Sequence, residues 1–115
     1  MKRNQPEAAI QRAVCRHLEL RGVPGLVWFA VPNQGARNPR SAAILKGLGV
    51  KAGVADLVLF HEGRAYALEI KASGGRLTPA QDRFLGDFQD AGGVVGHAVG
   101  LDDTLWTLES WGLIR

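Results

Sequence analysis

Asp56, Glu69 and Lys71 are the residues of this chain whose types and spacing could carry chemistry. They lie in a stretch that reads as a β-hairpin: Asp56-Leu-Val-Leu-Phe60, the polar His61-Glu-Gly-Arg64, then Ala65-Tyr-Ala-Leu-Glu-Ile-Lys71. Two apolar runs about a short Glu62-Gly63 turn are a hairpin signal. Centring the loop between Glu62 and Gly63 sets Phe60 opposite Ala65, Val58 opposite Ala67 and Asp56 opposite Glu69. Directly opposed residues have Cβ atoms roughly 4.5–5.5 Å apart, and like charges there are unfavourable. Glu69 and Lys71 are two apart and share a face of their strand. Two opposed carboxylates beside a lysine weaken a sheet, but they suit a hard divalent cation held next to a positive charge.

A Glu-x-Lys triplet alone is what any half-solvated strand can show, with Leu68 and Ile70 alternating against Glu69 and Lys71. The partner strand changes the weighting. Leu57-Val-Leu-Phe60 is apolar on both faces, as central strands covered on two sides tend to be. Charges beside such a strand, with Asp56 at the mouth of the hairpin, favour a catalytic reading.

The elements that must position these residues follow from pattern and punctuation. Pro6 fits the start of a helix whose apolar stripe is Ile10, Val14 and Leu18, ended by Gly22 and Pro24. Leu26-Val-Trp-Phe-Ala-Val31 predicts a buried strand. Asn38-Pro39 predicts an N-cap and first turn, with Ala42, Leu45 and Leu48 inward until Gly49. After the hairpin, Thr78-Pro-Ala-Gln81 is a capping box opening a helix that turns Phe84, Leu85 and Phe88 to the core, up to Gly92-Gly93. Val94 to Val99 is the last strand, and Asp102 or Asp103 caps a closing helix. The order α, β, α, β, β, α, β, α predicts an α/β fold with a four-stranded mixed sheet flanked by helices.

The arrangement of an aspartate, a gap, then Glu-x-Lys resembles the PD-(D/E)xK nuclease superfamily. Glu7-Ala-Ala-Ile-Gln11, Gly53-Val-Ala-Asp56-Leu57, Leu68-Glu-Ile-Lys71 and Leu77-Thr-Pro-Ala-Gln81, in that order, are similar to a VRR-NUC domain from about Glu7 to Val99. Ala55 stands where the family often has proline, a backbone-shaping position without chemistry. The resemblance implies a restriction-endonuclease-like core. It implies Asp56, Glu69 and the backbone carbonyl of Ile70 as ligands to Mg²⁺ or Mn²⁺, and hard oxygen donors select those ions over zinc. Lys71 would lie near the attacking water and a phosphate oxygen, as a base or, the reading we favour, as a fixed cation. The family pattern brings Glu7 to the metal cluster and Gln81 near the site. First-turn acidity alone accounts for Glu7, and the capping box alone accounts for Gln81.

At 115 residues the chain is expected to form a single domain spanning residues 1–115. No apolar run reaches the roughly 20 residues of a membrane span, and no signal-peptide core leads the chain. One cysteine, Cys15, excludes an internal disulfide, so a cytoplasmic protein is the expectation. The net charge is +3, and Arg37, Arg40, Lys46 and Lys51 fall in a segment without acids, with Arg76 further on. This set is read as a phosphate-tracking DNA surface. The resulting expectation is a metal-dependent endonuclease acting on branched DNA such as four-way junctions. As a homodimer it would present two sites, using the apolar tail Leu105, Trp106, Leu108, Trp111, Leu113 and Ile114. The alternatives are a flap or single-strand nuclease subunit of a larger complex, and a non-catalytic DNA-binding module.

Overall fold

A computed structural model describes residues 4–32 and 38–115. The elements are α1 (Asn4–Arg21), β1 (Val27–Ala30), α2 (Pro39–Gly47), β2 (Leu57–His61), β3 (Arg64–Lys71), α3 (Pro79–Asp90), β4 (Val94–Val99) and α4 (Leu101–Ser110). Their order is the one the pattern predicts. The strands form one sheet in the order β1-β2-β3-β4, antiparallel except for the parallel β3–β4 pair that α3 crosses over to make. This is the mixed-sheet α/β architecture of a restriction-endonuclease-like core.

The hairpin register is set by its turn. Glu62 and Gly63 both have positive φ, 50° and 79°, as the tight two-residue hairpin loop requires. Phe60 therefore pairs with Ala65, Val58 with Ala67 and Leu57 with Leu68. One further step brings Asp56 to the level of Glu69.

Alternation then sorts the strands onto two faces. On one, Leu57, Leu59, Tyr66, Leu68, Ile70 and Ala98 are packed by Val14 and Leu18 of α1, Leu108 of α4, and Leu113 and Ile114 of the tail. On the other, Ala67 and Val95 lie under Leu85, Phe84 and Phe88 of α3, with Ala55 and Leu77. The second layer is partial, because α3 packs on the β4 side.

Several expectations are corrected here. β1 is not a buried strand: it is the sheet edge, with Val27 59% and Phe29 48% exposed. Its β-branched and aromatic residues report strand propensity, which is silent on whether a second layer covers them. Phe60 of β2 is exposed for the same reason, so β2 is not covered on both faces. α2 is capped as expected, Asn38 Oδ1 accepting from Ser41 N at 2.8 Å, but none of its residues is buried and Leu48 faces solvent. Gly100 caps α4 without a side-chain bond, and Asp103 reaches back to accept from Val99 N at 2.9 Å.

The tail is core rather than spare surface. Leu108, Leu113 and Ile114 are buried, and the Trp111 ring lies 5.1 Å from that of Tyr66. Val23 N donates to Leu113 O at 3.1 Å, and Arg21 pairs with Glu109 at 2.6 Å. Of the six tail residues, Trp106 alone is largely exposed. Among the described residues no helix is long and apolar enough to cross a membrane.

Candidate active site

Asp56 sits at the mouth of the hairpin, fixed through both backbone and side chain. Its carbonyl accepts from Val31 N at 2.9 Å, extending the β1–β2 ladder. Its Oδ2 accepts from Ile70 N at 2.8 Å, supplying the partner that β2 no longer offers to β3. Burial raises the Asp56 carboxyl above its ordinary range; the Ile70 N–H pulls it down, and the charge of Glu7 pushes it up again. The first turn of α1 is therefore within electrostatic reach of the hairpin mouth.

Glu69 is the more unusual group, 2% exposed in the middle of the fold. Its Oε2 accepts from Gln81 Nε2 at 3.0 Å, and Lys71 Nζ stands 3.6 Å from the same oxygen. Oε1 is buried without a hydrogen-bond partner among the described residues. Burial first, and then the neighbouring Asp56 charge, push this carboxyl up to about 7 against the pull of Lys71. A buried acceptor left unsatisfied is costly and calls for an explanation. Two carboxylates held at raised affinity for protons also have unmet demand for positive charge.

Gln81 performs both tasks that its position suggested. Its Oε1 accepts from Thr78 N at 2.9 Å while Thr78 Oγ1 accepts from Gln81 N at 3.1 Å, completing the capping box. With its oxygen so engaged, the amide must turn its nitrogen to Glu69. The cap of α3 thereby decides which oxygen of Glu69 is left free. The helix is seated by Gly53, whose φ is +79° and where an added Cβ would lie 2.4 Å from the carbonyl of Ala80. In the sequence Gly53 stands out only as the first residue of Gly53-Val-Ala-Asp56-Leu57; its close approach to α3 is a long-range contact that this motif does not announce.

The donors suit a hard cation. Asp56 and Glu69 present carboxylate oxygens, Glu69 Oε1 has no hydrogen-bond partner among the described residues, and burial first, then nearby negative charge, raises the proton affinity of both. Magnesium is commonly held by one or two carboxylates with the rest of its shell water. The structure does not assemble a larger cage: among the described residues no group of three or more His, Cys, Asp or Glu could hold a metal ion. The charge of Glu7 bears on Asp56 across the site.

Arg40, Lys46, Lys51 and Arg76 are all exposed. Arg37 lies outside the described residues.

The sequence model of the VRR-NUC domain matches residues 5–101. Among solved structures, a "VRR_NUC domain protein" superposes with a TM-score of 0.76 at 22% identity, covering 92% of this chain and 87% of that one. A second, described as "VRR_NUC domain", gives 0.60 at 19% identity, covering 91% and 95%. No curated protein matches.

Proposed function

We propose that this chain, which belongs to the VRR-NUC domain family, is a divalent-metal-dependent endonuclease that hydrolyses DNA phosphodiester bonds at branched structures. Family membership implies nuclease activity in general. The finer reading is carried by one observation: a buried glutamate with an unpartnered oxygen, beside an aspartate and a lysine at a hairpin mouth.

Asp56 and Glu69 would hold Mg²⁺ or Mn²⁺, with the Ile70 carbonyl as a further donor. Bound there, the cation would supply charge neutralisation at the scissile phosphate and acidify water. The chain's own groups prepare the place. Gln81 holds Glu69 Oε2 and leaves Oε1 for the ligand. Asp56 is anchored through Ile70 N, so its second oxygen can face the same point. Lys71, drawn toward Glu69, puts a fixed positive charge where a phosphate oxygen gains negative charge. Arg40, Lys46, Lys51 and Arg76, with Arg37, would track phosphates, contacts that position the duplex by its backbone and shape and carry no base sequence.

Four-way junctions need paired incisions, for which two copies about a two-fold axis are the simplest arrangement. The tail is committed to the core, so the second copy would meet α2. That helix has nine residues and none buried, and Ile44, Leu48 and the following Val50 are exposed. Helices this short are marginal without packing partners.

The test is incubation of purified protein with labelled linear, flapped and four-way DNA, with and without Mg²⁺ or Mn²⁺. Metal-dependent cleavage favouring the four-way substrate is expected. Equal cleavage of linear and branched DNA would reject the junction reading, and no cleavage under any condition would favour a DNA-binding module.

A further inference from the structure

The sheet face that carries Asp56, Glu69 and Lys71 also carries two exposed phenylalanines. Residues directly paired across strands share a face. The pairs Phe29↔Val58 and Val27↔Phe60 therefore stand on the side of Asp56 and Glu69. The Phe29 and Phe60 rings are neighbours, with centroids 6.2 Å apart and planes tilted by 33°. Both residues are more than two-fifths exposed. Val27 beside them is exposed as well, giving an open apolar patch of the kind that marks a binding surface.

The position of the patch says what would lie on it. α3 occupies the β4 side of this face and closes the flank of the site through Gly53 against Ala80 and Gln81 against Glu69. A DNA strand with its phosphate at the carboxylates is left the β1–β2 half. Val58, the partner of Phe29, is two residues from Asp56 along β2, about 7 Å, and Phe60 is about 13 Å away at the rise of an extended chain. Nucleotides flanking the phosphate would pass over the rings. Aromatic side chains on adjacent strands of an open sheet are a general means of holding single-stranded nucleic acid, because every base has a face to stack. In an intact duplex those base faces are already covered by their neighbours.

We propose that Phe29 and Phe60 form a stacking platform for bases that unpair next to the scissile phosphate, whether at a flap or where the arms of a four-way junction open. The proposal rests on the nuclease reading for the identity of its ligand as DNA.

The experiment measures binding in EDTA, where cleavage is suppressed, using a flapped duplex with 2-aminopurine beside the branch and a blunt duplex of the same length. Phe29→Leu and Phe60→Leu keep apolar bulk on the sheet but remove the rings, and Phe29→Ala is a second variant. Each leucine variant should lose roughly tenfold in affinity for the flapped DNA, within the range of one lost base–ring stack. Blunt-duplex affinity should hold, and the 2-aminopurine quenching seen with the native protein should diminish. Unchanged flap affinity, or equal loss on both DNAs, would overturn the proposal. A native dimer that becomes a monomer in the leucine variants would also overturn it, by giving the face to a second copy. Cleavage in Mg²⁺ is scored separately: a protein that binds flaps through its rings but never cuts would reject the nuclease reading and leave the platform standing.

Discussion

Glu69 and Asp56 are not interchangeable acids, and their surroundings predict different responses. The Glu69 carboxyl lies at about 7, above its ordinary 4.5, so folding favours its protonated form. Its stability contribution is therefore intact below the ordinary value and lost as pH rises through about 7. At about 1.4 kcal/mol per pH unit between folded and unfolded values, the loss amounts to a few kcal/mol. In EDTA, the melting temperature should fall between pH 5 and pH 8, and Glu69→Gln should flatten that fall and melt higher at pH 8. A steeper fall in the variant would contradict the assignment. Asp56→Ala should instead melt lower at acid pH, because it orphans the Ile70 N–H at a cost of about 1–3 kcal/mol, and the difference should narrow as pH rises and the substitution relieves the repulsion between Asp56 and Glu69. Both variants should lose metal-dependent cleavage while retaining DNA binding. Lys71→Ala should lose cleavage by orders of magnitude but still bind Mn²⁺ in isothermal titration, since an ammonium is not a ligand. Lys71→Arg should also cut poorly, its planar fork being no substitute for a point charge.

At the scale of elements, the cap of α3 ties helix to site, and this makes Thr78 a positioning residue. Thr78 holds Gln81, and Gln81 holds Glu69. Thr78→Ala should cost about 1 kcal/mol in stability, as helix caps do. It should also lower kcat with little change in KM, whereas Thr78→Ser restores both. A loss of stability with unaltered kcat would reduce Thr78 to a cap alone. Gly53→Ala should be far worse than its size suggests, because the Cβ meets backbone at a positive φ. These elements show what the sequence made legible. Glu62-Gly63 specified the hairpin register because only a tight turn with positive φ joins those strands. Thr78-Pro-Ala-Gln81 specified the cap because its signals lie within four residues. The environment of β1 was not legible. Leu26 to Val31 reads as a strand by propensity, but its missing second layer depends on where α3, some fifty residues later, comes to rest. The tail was misleading for a related reason: Leu113 and Ile114 fold back beside Gly22, a contact across the whole chain that no local pattern announces.

For the molecule as a whole, the proposed action on four-way junctions raises the question of how one small body, with one carboxylate pair at its hairpin mouth among the described residues, could make two cuts. A two-fold dimer answers it, and the burial of the tail moves its predicted interface to α2. Ile44 of that helix and Leu48 at its C-cap are four apart and both exposed, 59% and 75%. Arg40 precedes Ile44 by another four, so an interface there would place cationic side chains from both copies side by side. Light scattering at micromolar concentration should give a dimer, with or without junction DNA. Ile44→Lys or Leu48→Lys should yield a folded monomer, since neither side chain supports the core, with nicking of flapped DNA kept and paired incision of junctions lost. Trp106→Ala should leave the dimer intact. Arg40→Ala should weaken binding to all DNAs alike and flatten the salt dependence by about one counterion per phosphate contact in each copy. A native monomer that still cuts both strands of a junction in one encounter would refute the two-copy arrangement, and loss of the dimer in Trp106→Ala with α2 variants unaffected would return the interface to α4.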